Sequence, residues 1–319
     1  MRCKAMQPAT MDAWGSGDSA GNAAPFVVRN QGQSATPVVI AVPHAGRAYC
    51  PDLVAALRDP PEAARRLEDR LVDGIAEELA RRTGATLIVA RAPRALIDLN
   101  RAPDDLDRDM IEPDPALPAF PPRARPGGIS RRVQGGLGLV PRRLPGMGEL
   151  WRSRLPAADV LARIEEVHAP YHAAIEAALN EVAGQWGVAL LIDLHSMPPL
   201  LPREPGQTTA RYVLGDRFGS ACRARLAALA FAHFAAAGAP AAHNRPYAGG
   251  YTLERHARRA QGIEAMQIEI DRAAYLDSAL AEPGAGWEEV ADTLTGLVGI
   301  LGRDMADVAA AGRVPRAAE

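Results

Sequence analysis

The segment Leu190–Pro199 reads LLIDLHSMPP. From Ala189 to Ile192 it is an apolar run of strand length, preceded by a break at Gly187 and closed by Pro198 and Pro199. A run apolar on both pleat faces suits a strand in the middle of a sheet covered on both sides. Asp193 and His195 follow it, and residues two apart on a strand share one face. They stand where open α/β sheets bind ligands, beyond the carboxyl ends of the strands.

The same arrangement recurs along the chain. Pro37–Pro43 (PVVIAVP) is a second buried-strand candidate, and His44-Ala45-Gly46 follows it. Ala85–Ala90 (ATLIVA) leads into Ala95–Arg101 (ALIDLNR), which sets Asn100 beside Arg101. Such a pair can grip a carboxylate, because the guanidinium fork binds it bidentately. Arg211–Arg217 reads as strand then turn, and Ala265–Arg272 (AMQIEIDR) places Glu269 between two isoleucines.

Helical periods separate these strands. Leu67, Leu71, Ile75 and Leu79 recur at i+4 and predict one helix over 60–83, stopped by Gly84. Asp69 and Asp73 share one side of that helix. Further helices are predicted over 151–186, 220–238 and 287–308. His168 and His172 are also i,i+4, but without the Glu of an H-E-x-x-H site, and are read as supporting structure or substrate. The alternation predicts a three-layer α/β/α sandwich with a mixed, mostly parallel central sheet.

Composition narrows the function. The 319 residues carry a net charge of −2, and the pI is about 6.4. That is no surface for nucleic acid or an anionic membrane. Cys3, Cys50 and Cys222 are too few and too far apart for a disulfide framework or a zinc knuckle, which points to a reducing, cytoplasmic setting. No run of 18 apolar residues occurs. Residues 1–25 read as a disordered tail, 26–312 as a single catalytic domain and 313–319 as a frayed end. The Pro-, Gly- and Arg-rich stretch 102–150 reads as an irregular loop covering the site. Oligomeric state stays open.

The strand ends thus deliver His44, Asn100 with Arg101, Asp193 with His195, and Glu269. Two histidines and a carboxylate are the ligand set of a catalytic zinc that keeps one position for water. A further, non-ligating Glu suits the general base, and an Arg can hold a substrate carboxylate or an oxyanion. The economical reading is amide hydrolysis on an acidic small molecule. The same ligands also suit non-heme iron.

PHAG at 43–46, IDLNR at 97–101, GLGLVPR at 136–142, PYH at 170–172, IDLHSM at 192–197, VLGDRFG at 213–219, and GGYTLERHA through QIEIDRAAYLD at 249–277 together resemble the N-formylglutamate amidohydrolase family. The resemblance implies a zinc-carboxypeptidase-like fold and one zinc ion, with other divalent metals also possible. It implies hydrolysis of N-formyl-L-glutamate to L-glutamate and formate, in histidine degradation. A related zinc peptidase or amidase, acting on another N-acyl amino acid or a short cell-wall peptide, is the alternative. A metal-dead binding protein is a third reading, disfavoured by the retention of His44, His195 and Glu269 together.

By the same resemblance His44 and His195 are metal ligands and Glu269 the general base. The carboxylate that follows the first histidine by three residues in carboxypeptidases is replaced here by Arg47. The resemblance places the family's acidic helix motif on Asp69–Asp73 and so implies Asp69 as the acidic ligand, with Asp73 in reserve. Asn100 and Arg101 match a carboxylate-recognition pair, and Arg211 and His256 match positions lining the substrate. After DLNR this chain continues Ala-Pro-Asp-Asp where many members have Pro-Pro-Asp-Gly, a departure that bears on substrate choice.

Overall fold

The structure is a computed structural model and describes residues 24–117, 120, 130–202 and 208–313. The predicted tail at 1–25 and the frayed end at 313–319 lie almost entirely outside these residues. By its contacts the chain divides into two compact units. One takes in residues up to Val27, Pro43–Glu68 and Val89–Ala173. The other takes in Val28–Val42, Asp69–Ile88 and everything from Ala174 on.

Seven strands form the main sheet: β1 (Phe26–Arg29), β2 (Val38–Val42), β3 (Thr86–Ala90), β4 (Ala189–Met197), β5 (Tyr212–Gly215), β6 (Ala241–His243) and β7 (Ile263–Asp271). Their order is β1-β3-β2-β4-β7-β5-β6. β2 and β7 both run parallel to β4, and β6 runs parallel to β5, while β5 is antiparallel to β7. This is the mixed, mostly parallel sheet of an α/β fold that the alternation predicted. β2, β4 and β7 are buried at every residue. The apolar side chains among them contribute about 1.5–3 kcal/mol each when fully removed from water.

The helices are α1 (Pro51–Ala56), α2 (Pro60–Leu67), α3 (Val72–Thr83), α4 (Ala157–Arg163), α5 (Ala169–Trp186), α6 (Ala224–Ala236), α7 (Tyr251–His256) and α8 (Trp287–Arg313). In the second unit α3 lies against β2, β4 and α8, α6 packs on α8, and α7 meets β4 and β7. Among the described residues no helix is long and apolar enough to cross a membrane.

Two departures from the sequence reading bear on function. The helix predicted over 60–83 is broken: α2 stops at Leu67 and α3 starts at Val72. Leu71, the residue before α3, sits in the left-handed region at φ 56°, ψ 13°. For a residue with a Cβ this costs about 1–2 kcal/mol. Tertiary contacts to Asp69 and Arg70 override a helical period that runs unbroken through the turn. Asp69 and Asp73 therefore do not share a helix face. Second, Ile164–His168 takes a π-helical turn before α5 begins.

The stretch 102–150, read as irregular, holds short elements where it is described. Ile111–Glu112 pairs in parallel with Leu155–Pro156, Arg143–Leu144 forms a hairpin with Gly148–Glu149, and Arg131–Gln134 makes one helical turn capped by Ser130. In the same unit the loop after His44 lies close on the chain after β3. A Cβ on Gly46 would fall 2.1 Å from the carbonyl oxygen of Ala92, and Ala48 donates its N–H to Arg91 O at 3.0 Å. Gly46→Ala must therefore push backbone from backbone. It should destabilise the protein by about 1–3 kcal/mol in a urea titration. A midpoint unchanged from wild type would contradict this contact.

Candidate metal centre

His195 occupies the buried end of β4 between two carboxylates. Its Nδ1 lies 3.0 Å from Asp69 Oδ2 and its Nε2 lies 3.0 Å from Asp193 Oδ2. β7 brings Glu269 directly beside it, because Glu269 pairs in register with His195 and Gln267 with Asp193. Paired residues of neighbouring strands project on the same face. Glu269 is buried and accepts a hydrogen bond from Gln267 Nε2 at 2.8 Å. Past the end of β7, buried Arg272 donates through Nε to Ser196 Oγ at 3.1 Å and through a terminal nitrogen to Asp69 Oδ1 at 3.4 Å.

Burial alone would keep His195 neutral. The charges of Asp193, Asp69 and Glu269 outweigh burial and push its pKa well above the ordinary histidine value. Carboxylates gathered in a buried place call for a cation among them.

His44 stands two residues beyond the end of β2, whose Ala41 pairs in register with Asp193 of β4. Its Nε2 lies 2.7 Å from Asp98 Oδ1. Asp98 is fully buried and also accepts the Arg94 Nε–H at 2.9 Å and the backbone N–H of Asn100 at 2.9 Å. Burial works to raise the Asp98 pKa, but Arg94, Arg101 and His44 together hold it well below the usual carboxylate range. Asp98 is thus a fixed anion behind His44.

The residues after Asp98 are held from their backbone side. His168 donates through Nε2 to Arg101 O at 2.8 Å, and His172 likewise to Leu99 O at 2.9 Å, with the two rings 4.5 Å apart. The π-helical turn ends at His168. These histidines support the IDLNR segment, in line with the sequence reading. Arg101 turns its fork largely inward, to Leu137 O at 3.0 Å and Asn100 O at 2.7 Å, and burial pushes its pKa down to about 10.

In the second unit Asp69 and His195, both buried, present ligand atoms 3.0 Å apart, and His44 is buried in the first. Two imidazoles and a carboxylate around one zinc, each about 2.0–2.2 Å from it, stand about 3.3 Å from each other. The Asp69–His195 spacing is close to that, so these two donors fit a divalent ion. Asp73 lies in the first turn of α3 and is not part of this group. Arg211 forms an ion pair with Glu289 at the start of α8, and its carbonyl accepts the N–H of Asp271 at 2.9 Å. His256 is buried at the end of α7. Arg272 and the anchoring role of Asp193 escaped the sequence reading. Arg272 has only its position just past a strand end carrying Glu269 as a local signal.

The chain matches the sequence model of N-formylglutamate amidohydrolase over residues 36–276. It belongs to the N-formylglutamate amidohydrolase family. A relative named N-formylglutamate deformylase from Pseudomonas aeruginosa is 30% identical over 250 residues, covering 76% of this chain and 82% of the relative. One of the same name from Pseudomonas putida is 30% identical over 266 residues, covering 81% and 88%. Among solved structures, N-formylglutamate amidohydrolase from Ralstonia eutropha JMP134 superposes with a TM-score of 0.77 at 29% identity, covering 91% of this chain and 99% of that one. A gene product of Agrobacterium tumefaciens shares the fold, with a TM-score of 0.61 at 18% identity and coverage of 89% and 96%.

Burial, with Arg255 and Arg258 nearby, pushes the His256 pKa down to about 3. The unfolded chain protonates this residue near 6.5, so below that pH the unfolded state binds the extra proton. Stability from His256 is full above about pH 6.5 and falls by about 1.4 kcal/mol per unit as pH drops toward 3. A His256→Leu variant should lose stability less steeply between pH 7 and 5 in urea titrations. Parallel wild-type and variant curves would show that His256 protonates in the folded state.

Proposed function

We propose that this chain hydrolyses N-formyl-L-glutamate to L-glutamate and formate, using one divalent metal held by His44, Asp69 and His195. The observation that supports the reading is the buried Asp69–His195 pair, with Glu269 in register beside His195. Zinc suits two imidazoles and a carboxylate, and when bound it would polarise the formyl carbonyl and acidify a water. Asp193 and Asp98 each sit against the Nε2 of a histidine, which leaves Nδ1 of His195 and of His44 as the ligating atoms.

Glu269 acts as general base. It takes a proton from the attacking water as the C–O bond to the formyl carbon forms, and returns it to the amide nitrogen as the C–N bond breaks. The second proton of the water leaves the nascent formic acid for the amine, so that formate and the ammonium form of glutamate result, and atoms and charge balance without a further reactant. Arg272, next to Asp69 and Ser196, supplies positive charge to a crowded anionic place. Asn100, Arg101, Arg211 and His256 are assigned to the substrate side. For Arg101 and Arg211 contact with substrate means giving up part of the interactions they now make. A role in histidine degradation, in a reducing cytoplasm, follows from that substrate and from the cysteine usage.

Formate release from N-formyl-L-glutamate, measured before and after chelation and again with zinc restored, tests the whole reading. Metal-dependent release is expected. Protein that holds one zinc yet releases no formate would reject the substrate. Glu269→Gln should keep the metal and lose about 10²–10⁴-fold in kcat, the usual worth of a placed base. Near-wild-type turnover in that variant would assign the base elsewhere.

A further inference from the structure

The Asp69 turn is built against the local preference of the chain. The apolar period through Leu67, Leu71, Ile75 and Leu79 runs on without a breaker, and a continuous helix would satisfy this backbone without strain. The chain instead leaves the helix at Glu68 and re-enters it at Val72, with Leu71 left-handed. Strain of this kind persists only where surrounding structure over-determines it.

What over-determines it is the segment following β7. Tyr275, fully buried, donates its hydroxyl to the carbonyl of Arg70 at 2.5 Å. Arg70 in turn donates through Nε to Ala281 O at 2.8 Å, and Asp277 fixes that turn by accepting the N–H of Ala281 at 2.9 Å. Arg272 holds the Asp69 carboxylate itself. Residues 272–281 therefore grip the Asp69 carboxylate, the peptide between Arg70 and Leu71 and the side chain of Arg70. The Tyr275 ring is separately seated against Trp287, with centroids 5.9 Å apart.

We infer that Tyr275 is a positioning residue for the metal: its hydroxyl holds the Asp69–Leu71 turn out of helix, so that the Asp69 carboxylate meets His195. The inference rests on the reading of Asp69 as a ligand. The strain at Leu71 is then the counterpart of that placement. Losing the Tyr275 hydroxyl lets the turn relax, and removing the Leu71 Cβ makes the same turn easy to hold.

The test measures zinc affinity of the metal-free protein by competition with a chromophoric chelator, alongside the thermal midpoint and kcat. Tyr275→Phe keeps the ring against Trp287 and removes only the oxygen. It should weaken zinc binding about 10-fold, the lower end for groups that orient metal ligands. Leu71→Gly in the Tyr275→Phe background should recover most of that loss. Leu71→Ala in the same background should recover none, since it also removes side-chain contacts but keeps the Cβ. Wild-type zinc affinity in Tyr275→Phe overturns the inference, as does equal recovery by Gly and Ala. Asp69→Asn separates the two levels: zinc binding as tight as wild type would reject Asp69 as a ligand, whatever Tyr275 does.

Discussion

A carboxylate, an imidazole and a second carboxylate in a buried line make up the constraint that orders the second unit. Asp193, His195 and Asp69 lie at 3.0 Å spacings at the end of a strand that water does not reach. Uncompensated anions in such a place are costly, and a paired cation offsets the cost only when geometry is good. Hence the surroundings are arranged around charge. Arg272 comes in from one side, Gln267 ties down Glu269, and β7 is held in exact register with β4 along nine residues. A slip of one residue would turn Glu269 to the opposite face of the sheet.

Much of this was readable because strands advertise their ends. His44, His195 and Glu269 each follow or interrupt an apolar run, and the structure sets them at the carboxyl ends of β2, β4 and β7. The Asn100–Arg101 pair was visible for the same reason. Asp69 was not readable from local pattern, since the helical period passes through it and only the family resemblance singled it out. Its break is caused by Tyr275 and Arg272, some 200 residues later in the chain. Sequence periodicity registers what a residue does to its near neighbours, and this turn is decided by remote ones.

The first unit solves a related problem by backing its loop with histidines. A loop that must present Asp98 and Asn100 leaves buried carbonyls behind it, and these need donors. His168 and His172 supply them from one helix face, the first from the π-helical turn. Imidazole suits this because a single ring can donate through one nitrogen at a fixed height above the helix. The same residue type thus serves as ligand candidate in one place and as backbone support in another, and its partners, anion or carbonyl, tell the two apart.

The strand order has a consequence in time. β4 finds its neighbours in β2, roughly 150 residues earlier, and in β7, some 70 residues later. Such distant partners make for slow folding, because chain entropy is lost before the pairing repays it. On a ribosome, β2 emerges as an apolar run without its partner, and β4 must wait for β7 to be covered on its other edge. Glu269 is the last of the four chemical residues to be synthesised. Arg272 and Tyr275, which hold the Asp69 turn, follow it within six residues, so the proposed ligand and the proposed base are completed almost together, late in synthesis.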